Sequence, residues 1–136
     1  MRCTARVIAS VALVLTGGGM VALPVVFAAP ATPAPMLTEV KMVAGTTHSM
    51  SYDPVRITVH QGDTVRFIQT GNVPHNVVFR SVPKEVDADS LPQGPYLNSR
   101  GQSWDLVIDK RFIPGKYVYI CTPHEVMGMA GILYVQ

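Results

Sequence analysis

Cysteine is almost absent from this chain: Cys3 and Cys121 are the only two among 136 residues. Charge is scarce as well, at 15%, against 48% hydrophobic residues, which excludes a disordered or solvating chain and leaves enough apolar mass for a core. No basic patch and no interleaving of Arg with aromatics marks a nucleic-acid surface. Internal repeats are absent, and beyond residue 28 no stretch holds a long helical period. The length favours one domain.

The N-terminus carries what the rest lacks, a long hydrophobic run. Arg2 and Arg6 precede an uncharged apolar stretch from Val7 to Phe27, and Val26, Phe27 and Ala28 fit a signal-peptidase site before Ala29. This is the pattern of a secretory signal over residues 1–28. The run is nearly long enough to span a bilayer, so a retained membrane anchor is the competing reading. No cysteine follows it, and a lipoprotein anchor is not indicated. Cleavage removes Arg2, Arg6 and Cys3; the eleven basic residues fall to nine, matching the nine acidic ones, and the mature formal charge is zero. The expected product is exported, to a periplasm or, in a photosynthetic source, to the thylakoid lumen. It keeps one cysteine, so no intrachain disulfide can form. An odd exported thiol needs another explanation, and metal binding is one that protects a thiolate.

After a Pro/Ala-rich leader, "APATPAPMLTE" (29–39), period-two alternation recurs. Val55, Ile57 and Val59 alternate with Arg56, Thr58 and His60; Val65 pairs with Phe67, Val77 with Phe79, and Leu106 with Ile108. Tyr117–Cys121 and Ile132–Val135 complete the set, with "QGD" (61–63) and "IPGK" (113–116) as turns. Short alternating runs at roughly ten-residue spacing predict a β-sandwich or barrel. "PKEVDADSL" (83–91) predicts one short helical turn. His48 and His60 have no Cys or Met at ligand spacing and read as structural, as does Trp104 at the head of an alternating strand.

The chemistry is concentrated in "CTPHEVMGM" (121–129), with "PHN" (74–76) far upstream. Cys121 alone reads as a small buried hydrophobe, His75 as a loop histidine, and Met127 or Met129 as core filler. Taken together, two imidazoles, a thiolate and a weak axial thioether form the ligand set of a mononuclear blue-copper site. The residues alone leave the methionine open between Met127 and Met129. A cysteine nucleophile paired with His124 lacks an evident Asn or Asp orienter, and a binuclear copper site needs a second cysteine.

"VPHNVVF" (73–79) and "YICTPHEVMGM" (119–129) resemble the copper-binding segments of the plastocyanin family within the cupredoxins, and "CTPHEVMGM" is also similar to the pseudoazurin ligand loop. The likeness continues through "YDPVRITVHQGDTVRF", "VPKEVDAD", "LNSRGQSW", "PGKYVY" and "AGILYV", across nearly the whole of residues 38–136. The resemblance implies an all-β, eight-stranded Greek-key sandwich that is not an enzyme. It further implies one copper ion on His75, Cys121, His124 and Met129, with Asn76 tying the two ligand loops together. It implies a soluble, monomeric one-electron carrier, with a copper chaperone or storage protein as the alternative from another class. Redox partners would dock near His124 on a patch of Pro74, Pro123, Val126 and Met127. Ile120 stands where plastocyanins usually carry a surface Tyr before the ligand Cys, and Glu125 lies beside the exposed ligand. These departures bear on the partner and leave the copper set intact.

Overall fold

The structure, a computed structural model, describes residues 34–45 and 49–136. The signal expected over 1–28, residues 29–33 at the head of the leader and His48 lie outside the described residues. Among the described residues nine strands follow one another: β1 (Leu37–Ala44), β2 (Met50–Asp53), β3 (Arg56–Val59), β4 (Thr64–Gln69), β5 (His75–Ser81), β6 (Gly94–Leu97), β7 (Ser103–Val107), β8 (Gly115–Ile120) and β9 (Ala130–Val135). Alternation in the sequence becomes alternation in burial. β4 buries Val65, Phe67 and Gln69, and β3 buries Ile57 and Val59 while Arg56 and Thr58 face water.

Two sheets result, one in the order β2-β1-β4-β7 and the other β3-β9-β8-β5-β6. Pairings are antiparallel except β1 with β4 and β3 with β9, which join strands distant in the chain. The expected all-β sandwich is therefore present. Its nine segments become eight when Met50–Val59 is counted as one strand that changes sheet at Asp53–Pro54. Pro54 has no N–H to continue the β2 ladder. Val55, expected on the same face as Ile57, instead sits at this crossover and is exposed, its carbonyl accepting from Ile132 N.

The sheet begins at Leu37, inside the stretch read as leader. Met36 N donates to Asp63 Oδ1 at 2.8 Å and Thr64 N donates to the Met36 carbonyl at 2.8 Å, so the chain is tied down before β1 starts. Where "PKEVDADSL" predicts a helical turn, a 3₁₀ turn spans Ala88–Ser90, capped by the Asp87 side chain.

Between the sheets lie Met42, Tyr52, Phe67, Leu106, Phe112, Tyr117, Tyr119 and Leu133, all essentially inaccessible to water. Each contributes about 1.5–3 kcal/mol by burial. Tyr52, Phe67 and Tyr119 meet edge to face, with centroids 4.8–6.1 Å apart. Trp104 stacks on Phe67 at 5.8 Å from the half-buried rim, as structural packing requires. This aromatic group fills the sandwich below one end, where β5 begins and β8 finishes.

Candidate metal centre

β5 and β8 are neighbours in the five-stranded sheet, with Val78 opposite Ile120 and Phe79 opposite Tyr119. His75 opens β5 and Cys121 follows the last residue of β8, so pairing brings together two candidate ligands 46 positions apart. The expectation of His75 in a loop is corrected here: it is the first strand residue, fully buried. After Cys121 the chain enters a 3₁₀ turn, Thr122–Met127, with Pro123 in its first turn. His124 N donates to the Cys121 carbonyl at 3.0 Å, which folds His124 back over the thiol.

Three donor atoms converge. Cys121 Sγ lies 3.6 Å from His75 Nδ1 and 3.3 Å from His124 Nδ1, and the two Nδ1 atoms are 3.1 Å apart. A point equidistant from all three is about 1.9 Å from each, close to the roughly 2.0–2.3 Å of metal–nitrogen and metal–sulfur bonds. Burial, then the His124 charge, pushes the His75 imidazole down to about 4, so it is neutral and able to donate an electron pair at neutral pH. With Nδ1 turned inward, the ring proton falls to Nε2, which is buried without a hydrogen-bond partner among the described residues. Burial pushes the Cys121 thiol up, opposed by the backbone N–H groups of Asn76 and His124. Lone pairs facing one another in a dry site are poorly matched to protons alone. They suit a cation with affinity for nitrogen and sulfur.

The methionines part company. Gly128 closes the turn in the left-handed region, φ +82°, with its N–H donating to the Glu125 carbonyl. Met129 beyond it is fully buried, and its backbone is clamped on both sides: Met129 N donates to the His124 carbonyl and Cys121 N to the Met129 carbonyl, each at 3.1 Å. Met127 stays 42% exposed.

Around the donors runs a second layer of contacts. Asn76 Oδ1 accepts from Thr122 N at 2.8 Å and Asn76 Nδ2 donates to Thr122 Oγ1 at 3.1 Å, joining the residue after His75 to the residue after Cys121. Two further contacts were not anticipated from sequence. Tyr52 donates its hydroxyl to the Asn76 carbonyl at 2.6 Å, and Arg80 on β5 grips both carboxylate oxygens of Glu125. Guanidinium contact holds the Glu125 carboxyl below its usual range. The hint for this pair was the charge of "FRSV" opposite "HEVM"; for Tyr52 there was none.

A family model described as copper binding proteins, plastocyanin/azurin family, matches residues 38–136. The chain belongs to the plastocyanin/azurin family. Plastocyanin of the alga Ulva prolifera is 40% identical over 96 residues, covering 69% of this chain and 95% of that protein. Chloroplastic plastocyanin of Chlamydomonas reinhardtii is 34% identical over 90 residues, 65% of this chain, which spans 60% of that protein's length. The solved oxidised plastocyanin of the fern Dryopteris crassirhizoma superposes with a TM-score of 0.56 at 29% identity, covering 73% of this chain and 100% of that one. The family's cofactor is one copper ion, and the grouped His75, Cys121 and His124 fit it. Before Cys121, where the resemblance leads to the expectation of a surface tyrosine in relatives, Ile120 is buried and Tyr119 is in the core.

Proposed function

We propose that this chain carries single electrons between redox proteins, with His75, Cys121, His124 and Met129 as the ligands of one type 1 copper. The observation that carries the proposal is the convergence of two imidazole nitrogens and a thiol within 3.6 Å of one another. Bound copper supplies the Cu(I)/Cu(II) couple. The protein's part is to keep the ligands in place whichever state is present. His75 is held by β5, Cys121 by β8, and Met129 by two backbone bonds, so little rearranges when charge changes. This is electron carriage, not turnover of a substrate, as in the plastocyanin-like proteins the chain resembles.

His124 alone of the three grouped donors is partly exposed, which makes its ring edge the exit for an electron. Pro74, Pro123, Val126 and Met127 are all exposed around it, Val126 to 96%. A small apolar surface of this kind suits brief encounters, which use interfaces at the low end of the size range. The protein acts as a monomer after export and loss of residues 1–28, its leader followed by the copper-binding domain of residues 38–136, in a periplasm or a thylakoid lumen. Delivery of copper to other proteins is the weaker reading, since His75, Cys121 and Met129 are enclosed where a chaperone needs open ligands.

Voltammetry of the copper-loaded protein separates the two. An electron carrier gives a reversible one-electron wave with the metal retained through repeated cycles. Release of copper to a chelator on each change of state would overturn the carrier reading in favour of delivery.

A further inference from the structure

Tyr52 belongs to the sheet that carries none of the grouped donors. It lies on β2, fully buried, with its ring against Phe67 and Tyr119, and its hydroxyl crosses the sandwich to the Asn76 carbonyl at 2.6 Å. Asn76 sits where the ladder is interrupted. The β5–β6 register shifts between His75 and Val77, and pairing with β8 starts only at Val78. A carbonyl at such an irregularity needs a donor from elsewhere, and Tyr52 supplies it.

The position matters because Asn76 has two other duties. It follows His75 directly, and its side chain holds Thr122 next to Cys121. Burial and the nearby thiolate push the Tyr52 phenol far above its ordinary value, so the hydroxyl stays a donor across the working pH range. Its neighbour Tyr119 makes the contrast: equally buried, 4.8 Å away, its hydroxyl has no partner among the described residues.

We propose that Tyr52 is a positioning residue of the copper centre, holding the residue that joins the His75 and Cys121 segments by a hydrogen bond from the opposite sheet. It touches no ligand side chain in this role and acts through Asn76. Hydrogen bonding around the cysteine sulfur tunes the potential of such sites. Loss of the Tyr52 bond frees Asn76, loosens its side-chain hold on Thr122 beside Cys121, and by opening the site to water makes Cu(I), the less charged state, less favoured.

The inference rests on the copper reading, and the test keeps the two apart. Tyr52→Phe removes one oxygen and keeps the ring. The expected variant is blue, with a shifted thiolate band and a lower potential. The shift in preference between Cu(I) and Cu(II) is up to tenfold, about 59 mV for one electron. In the metal-free protein the Thr122 amide should exchange with solvent several-fold faster. Tyr119→Phe should leave band, potential and Thr122 exchange unchanged. If Tyr52→Phe does not fold, 3-fluorotyrosine placed at 52, a stronger donor of the same shape, should raise the potential. A blue Tyr52→Phe or fluorotyrosine protein with unaltered potential, band and Thr122 exchange overturns the proposal. A colourless copper complex of the unmutated chain overturns the copper reading itself.

Discussion

Met127 and Met129 stand two positions apart and end in opposite environments, one 42% exposed and one inaccessible. The sequence left both as candidates for the axial thioether. What separates them is Gly128, whose positive φ reverses the chain between them. An axial thioether is weak and long, and its identity sets the potential. Met129→Gln should therefore lower the reduction potential and alter the EPR spectrum with copper still bound. Met127→Leu should leave the spectrum alone and change only the rate of electron exchange with a partner. The reverse pattern would reassign the ligand. At this scale the donor types and their spacing were legible, because thiolate, imidazole and thioether are rare and cluster in nine residues. The hydroxyl of Tyr52 was not, because "MSYDP" says nothing of a carbonyl 24 residues away. Hydrogen-bond partners across a sandwich depend on which sheet each strand joins.

Strands and turns set the frame for these residues, and two contacts expose how. On β9, Gly131 lies opposite Tyr119 of β8, and a Cβ added there would fall 2.3 Å from Tyr119 Cζ. The ring occupies the space a side chain would need. Gly131→Ala should cost about 1–3 kcal/mol through overpacking, seen as a lower urea midpoint; an unchanged midpoint would show that the ring moves aside freely. At the other end Asp63, buried, accepts from His60 N and Met36 N, each at 2.8 Å, and joins the β3–β4 turn to the start of β1. These bonds, from His60 first and then Met36, hold its carboxyl below the ordinary value. A depressed folded value contributes stability above the unfolded pKa of about 3.9, and that contribution is lost as pH falls through the folded value. Asp63→Asn should cost about 1 kcal/mol at neutral pH, and the gap from the parent should close in acid melts below about pH 4. A constant gap at all pH values would show that the bonds to the ionised carboxylate are not the cause. Most strands were legible from period-two runs. The crossover at Asp53–Pro54 was not, since Val55, Ile57 and Val59 keep one alternation while the chain changes sheets. Nor was the start of β1, because "PMLTE" has no alternation and is held by partners on β4.

For the molecule as a whole, the sandwich and its copper are one thermodynamic system. A ligand set contributed by two strands and a turn binds the folded state and not the unfolded one, so copper should raise the melting temperature. At a thousandfold excess over the dissociation constant the linkage is worth about 4 kcal/mol. Equal melting curves with and without copper would mean that the three donors do not share a metal. On the proposed export reading, N-terminal sequencing of the mature protein should begin near Ala29, and recovery of the intact N-terminus would contradict it. The central claim is the type 1 site, and the optical and EPR spectrum of the oxidised, copper-loaded protein tests it most directly. The account predicts an intense blue band from charge transfer between the Cys121 thiolate and copper, a narrow copper hyperfine splitting, and loss of both in Cys121→Ser. A colourless complex, or one whose colour survives Cys121→Ser, would contradict it.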